Sequence, residues 1–149
     1  MDPKYNRYGG DNVESSSGAL KYVRIEYSGR KLSAKKELNG ISFAGVGNKT
    51  KIENIQVSYS NDDSFEFYGG NVKMENLVSY RASDDDFDFT QGVQADLKNS
   101  IAVRHPYSTD AEKSRCMEID SYDMIEKFDA QRNKTNVKAT NITLVNTED

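Results

Sequence analysis

The residues of this 149-residue chain that could do chemistry are its carboxylates, and they are concentrated. Between Asp62 and Asp88 stand eight acids, Asp62, Asp63, Glu66, Glu75, Asp84, Asp85, Asp86 and Asp88, against two bases, Lys73 and Arg81. That local charge of −6 exceeds the −4 of the whole chain. Carboxylates gathered in this way can bind a hard cation, can perform general acid–base catalysis when one of them keeps its proton, or can be neutralised by basic neighbours. An all-oxygen donor set suits calcium, whereas one cysteine (Cys116) and one histidine (His105) offer nothing of the zinc type.

What positions these acids is a repeat. The stretches Lys51-Ile52-Glu53-Asn54-Ile55, Lys73-Met74-Glu75-Asn76-Leu77, Asp96-Leu97-Lys98-Asn99-Ser100 and Lys138-Ala139-Thr140-Asn141-Ile142 share one pattern. Val23-Arg24-Ile25-Glu26-Tyr27, Val57-Ser58-Tyr59, Val78-Ser79-Tyr80 and Ile101-Ala102-Val103 form a second set. A third alternates apolar and polar residues in Ile41-Ser42-Phe43, Phe65-Glu66-Phe67, Phe87-Asp88-Phe89 and Met117-Glu118-Ile119. Alternation over four or five residues means strands, and a repeat of about 22 residues leaves no room for crossover helices. The fold expected is all-β, a right-handed single-stranded parallel β-helix of about four to five coils. Recurring Asn54, Asn76, Asn99 and Asn141 would form a ladder, their amides bonded along one buried corner. Leu, Ile, Val and Phe supply only 30 residues, which suits coils that each bury a handful of side chains against their neighbours.

The inward set expected is Val23, Ile25, Ile41, Phe43, Ile55, Val57, Phe65, Phe67, Phe87, Phe89, Val103, Met117, Ile119 and Leu144, with stacked phenylalanines. Cys116 is placed outward under a loop. A capping-box spacing at Asp123 to Glu126 predicts a short helix over 124–131. Polar residues 1–17 are expected to be a mobile N-terminal segment ahead of a β-helix domain over 18–149. Open solenoid ends call for end-to-end self-association or continuation in a longer chain. No apolar run approaches the roughly 20 residues of a membrane span, so no transmembrane segment is expected. No hydrophobic leader of the signal-peptide kind opens the sequence. Net negative charge argues against nucleic acid as partner.

The runs from Gly18 to Tyr27, from Asn39 to Gly47 and from Gln56 to Glu66, joined by Asp84-Asp85-Asp86-Phe87-Asp88 and Asn141 to Val145, resemble a known family. These are the parallel β-helix surface proteins, often lipoproteins, of Bacteroides-type bacteria. The resemblance implies a cell-surface or secreted protein, and it implies a fold far more than an activity.

In this register Glu66, Asp88 and Glu118 form an outward column, with Asp62, Asp63, Asp84, Asp85 and Asp86 in the turns before it. These eight are the candidate cation ligands, calcium being the ion they suit. Longer segments, 28–39 with Arg30, Lys31, Lys35 and Lys36 and 105–115 with His105, Lys113 and Arg115, would flank them as basic walls. Tyr59, Tyr68, Tyr80 and Tyr107, with Arg81 and Arg104, are the candidates for binding a surface glycan or other polysaccharide. Two functions fit. One is a non-catalytic extracellular binder of glycan through an acidic, calcium-holding groove. The other is a polysaccharide lyase or inverting glycoside hydrolase working through Asp63, Asp85, Glu66, Asp88, Arg104 and His105.

Overall fold

The computed structural model describes residues 8–32, 37–107, 114–122 and 129–146. Nine strands follow in order: β1 (Ala19–Glu26), β2 (Ile41–Ala44), β3 (Lys51–Ser58), β4 (Phe65–Tyr68), β5 (Asn71–Tyr80), β6 (Phe87–Thr90), β7 (Gln94–Val103), β8 (Met117–Ile119) and β9 (Asn136–Val145). Odd strands make one sheet, β1-β3-β5-β7-β9, and even strands make another, β2-β4-β6-β8. Every pairing is parallel. The chain is a right-handed parallel β-helix. Among the described residues no helix is long and apolar enough to cross a membrane.

Phenylalanine spacing drives the register of the shorter sheet. Phe43, Phe67 and Phe89 stack along the axis at 5.2 and 5.0 Å between ring centroids, with planes within 9° and 8°. Phe65 lies on Phe87 at 5.4 Å. These stacked rings are buried in the core.

The asparagines do something other than end a strand. Tyr22, Asn54, Asn76, Asn99 and Asn141 all have left-handed backbone, with φ of 56°, 57°, 59°, 50° and 55°, inside β1, β3, β5, β7 and β9. Asn is among the few L-residues that tolerate this conformation. Each one resets the in–out alternation, so Ile52 and Ile55 both face the core, as do Met74 and Leu77. Their side chains do form a column: Asn76 donates to Asn54 at 2.9 Å and Asn141 to Asn99 at 2.8 Å. Between these pairs Asn99 turns to Glu75 at 2.7 Å. The ladder is therefore interrupted, and Asn76, Asn99 and Asn141 are exposed where a buried corner was expected.

The same reset moves the predicted core. Val57 pairs with Ser79, and Ser79's neighbour Tyr80 pairs with Val103. Ser79 and Ala102 thus point inward, and Val103, expected in the core, faces out. Ile52, Val72, Met74, Leu77, Ala95 and Leu97 complete an interior that the Asn-as-turn reading divides wrongly. Cys116 packs against the core, not outward. Ile119 and Leu144 occupy inward register positions yet remain 51% and 50% exposed, since no described coil lies beyond them. The helix expected over 124–131 falls mostly outside the described residues.

Candidate functional site

Three columns cross the outer face of the four-stranded sheet. Glu66, Asp88 and Glu118 pair in register, with Ser42 at the head of the column. Asn39, Asp63, Asp85 and Arg115 each stand two residues before the start of their strand and make a second column. Ala44, Tyr68 and Thr90 make the third, with Asp120 just past β8. In the second column acids fill the middle coils, while an amide and a guanidinium close the ends; in the first, acids run from Glu66 to the last coil. The expected column Glu66–Asp88–Glu118 is present.

Density of side chains buries these acids although they lie on the outer face. Asp63 is 7% exposed, Glu66 8% and Asp85 3%. Carboxylate oxygens of Asp63, Glu66 and Asp88 lie within 4.8 Å of one another, and those of Asp62, Asp63 and Asp84 form a second such set sharing Asp63. Tyr68 donates its hydroxyl to Glu66, as does the Asn39 amide. The Asp85 amide donates to Asp63 at 3.0 Å. One buried oxygen of Asp88, Oδ1, has no hydrogen-bond partner.

The electrostatics follow from burial and like charge. Asp63 is pushed up to about 10, first by desolvation, then by Glu66, Asp88 and Asp62. Desolvation with Glu66, Asp120 and Glu118 raises Asp88 to about 8. Asp85 rises to about 9 through burial and its hydrogen bond with Glu118, against the Arg115 amide that favours its ionised form. Among the described residues, no Lys or Arg side chain forms an ion pair with Asp63 or Asp88.

Other predicted residues lie elsewhere. Asp86 turns into the interior, bonded to Ser79 and to Arg104 at 3.2 Å. It leaves the candidate ligand set because the position before the first strand residue faces inward, as Ser64 does one coil earlier. Arg104, expected to bind glycan or to take part in catalysis, is 5% exposed and clamps two turns by donating to the carbonyls of Asp84 at 2.5 Å and Arg115 at 3.0 Å. Of the basic walls, Arg115 pairs with Glu118 and, at 3.9 Å, with Asp85. Lys31 pairs with Glu37. Lys35, Lys36 and Lys113 lie outside the described residues. His105 accepts from the Tyr107 amide through Nδ1 at 3.0 Å, and Tyr107 is largely exposed.

The tyrosines separate into two groups. Tyr68 belongs to the acidic face. Tyr59 lies at a corner that follows β3, stacked on Tyr27 at 5.0 Å with planes 7° apart and edge-on to Tyr80 at 5.4 Å. Arg81 covers Tyr80 at 5.3 Å. Tyr59, Tyr80 and Arg81 are thus packed on one another along the axis, away from the acidic columns. Sequence reading missed Asn39 and Asp120 beside the acids, and Tyr8 beside Tyr68. The first two could have been found by counting two residues before or three after each strand's opening aromatic or aliphatic residue.

Parallel coils with an acidic outer sheet define a protein of the parallel β-helix class. The family model for the pectate-lyase-like β-helix domain matches residues 4–149, and the chain belongs to that family. No curated protein and no solved structure is detectably similar.

Proposed function

We propose that this protein is a non-catalytic carbohydrate-binding β-helix whose acidic face holds a divalent cation, calcium by preference, and carries an acidic polysaccharide there. The observation that supports this most is the convergence of Asp63, Glu66 and Asp88. Two oxygens bound to one calcium at about 2.4 Å each stand at most about 4.8 Å apart. The three carboxylates meet that limit without rearrangement. Hard oxygen donors fit the ion, and Asp88 has an oxygen, Oδ1, with no hydrogen bond to satisfy it. Burial and like charge raise both Asp63 and Asp88, so ionising the two together at neutral pH would cost several kcal/mol, a large part of a domain's whole stability. Either protons stay on the acids or a cation replaces them. Asp62 and Asp84, which gather with Asp63 in the second set, would extend the site, and uronate carboxylates of the polysaccharide would complete the ion's shell. An extracellular or cell-surface location accords with such a ligand.

The test is binding of polygalacturonate, alginate and a glycosaminoglycan, each in calcium and in chelator. Calcium-dependent retardation of at least one, lost in Asp63→Asn with Asp88→Asn, is the expected result. A second reading, a carbohydrate-active enzyme, draws on Asp85, which shares a hydrogen bond with Glu118 and keeps its proton to about 9. A carboxyl protonated at neutral pH beside another carboxylate has the form of a general acid with its partner. Release of reducing ends or unsaturated products from the same polysaccharides would favour it over the binder.

A further inference from the structure

The N-terminal stretch before β1 is built into the solenoid. Val13 accepts from the Asn48 amide at 2.9 Å, Thr50 Oγ1 accepts from the Ser17 amide at 2.9 Å, and Lys49 pairs with Glu14 at 3.2 Å. Glycines make the bed for it. A Cβ on Gly45 would lie 2.5 Å from the Gly9 Cα, and one on Gly47 would lie 2.3 Å from the Ser15 hydroxyl. Gly9 has φ of 90°, and Gly45, Gly69 and Gln91 repeat positive φ at 61°, 59° and 54°. Tyr8 precedes Gly9 as Ala44 precedes Gly45, Tyr68 precedes Gly69 and Thr90 precedes Gln91. Tyr8 therefore heads the third column of the acidic face. The small side chain of Ala44 lets it lie along that column, where its ring meets Tyr68 at 6.3 Å with a 57° tilt and its hydroxyl donates to Gln91.

We infer that Tyr8 and Tyr68 together form the aromatic wall of the acidic face, on which a pyranose ring of the bound polysaccharide stacks. The pair spans more than one coil, runs parallel to the acid columns, and touches them through the Tyr68 hydroxyl on Glu66. Tyr8 is half exposed, so its ring can meet a ligand. An apolar ring face beside carboxylates that take a cation selects a sugar with one hydrophobic face and an acidic edge. This rests on the reading of the acidic face given above, but Tyr8 itself stands far from the acids in sequence and can be changed without touching them.

The chain has no tryptophan, so Tyr8→Trp places a single indole emitter on the wall. Polygalacturonate and alginate in calcium should shift its emission and shield it from acrylamide. Affinity should stay near wild type in Tyr8→Trp and fall about three- to tenfold in Tyr8→Ala. Tyr27→Ala, on the other corner, should bind as wild type does. If the wild type binds and Tyr8→Ala binds equally, with the indole emission of Tyr8→Trp unmoved by polysaccharide, the wall is refuted while the acidic face stands. If the wild type binds neither polymer, the acidic face and its wall fall together. Should Tyr8→Ala not fold, the indole signal of Tyr8→Trp alone decides.

Discussion

Metal-free protein should lose stability as pH rises from about 4 to 8, the reverse of most domains, whose paired carboxylates are lost in acid. Folding raises Asp88 to about 8, Asp85 to about 9 and Asp63 to about 10. In the unfolded chain each titrates near 3.9. Between those limits the folded state holds more protons than the unfolded state, so each proton gained on folding lowers stability by about 1.4 kcal/mol per pH unit. The contribution is fully present below about pH 4 and is lost as pH climbs toward the folded values. One retained proton thus removes about 3 kcal/mol between pH 5 and pH 7. For a chain of this size that is about 6–12 °C in Tm. Thermal melts in chelator at pH 5, 6, 7 and 8 measure the slope, and Asp88→Asn should flatten it by about one proton's worth. A Tm that rises across this range, or a slope unchanged in Asp88→Asn, would refute burial and like-charge repulsion as the cause of the retained protons.

Three further outcomes follow from the packing. Asn76→Ala should cost about 1–2 kcal/mol in chemical denaturation, through the left-handed backbone and the bond to Asn54, while Lys73→Ala costs under about 0.5. Arg104→Met should cost about 3–5 kcal/mol by stranding the buried Asp86, and adding Asp86→Asn should restore much of it. Phe67→Ala, which removes the middle ring of a three-ring stack, should cost about 3–5 kcal/mol by the same measurement.

The β-helix is legible because its signals are local and repeated. Phe-x-Phe alternation sets the register of β4 and β6 and with it the Glu66–Asp88–Glu118 column. The wider sheet is less legible, since repeating asparagines read as turns. Nothing in Ile52-Glu53-Asn54-Ile55 announces that the strand continues through a left-handed residue and changes parity. That single unseen kink displaces Val103 from the core and conceals Ser79 and Ala102. Asp86 and Arg104 escape for another reason. Their burial depends on meeting each other from separate coils, and charge in a sequence is ordinarily read as surface. Tyr8 carries no local mark either. Its place follows only from matching Gly9 to Gly45 and Gly69 in their positive φ, and from the tight backbone approach at Gly45.

The most direct measurement is calorimetric titration of calcium into the chelator-treated full chain at pH 7, run in two buffers of different ionisation enthalpy. Wild type should bind calcium with proton release, since the ion displaces protons from Asp63 and Asp88. At 100 times the dissociation constant it should be stabilised by about 2.7 kcal/mol. Asp63→Asn with Glu66→Gln and Asp88→Asn should show neither heat nor a shift in Tm. Calcium binding that is absent in the wild type, or that survives unchanged in the triple variant, would contradict the account.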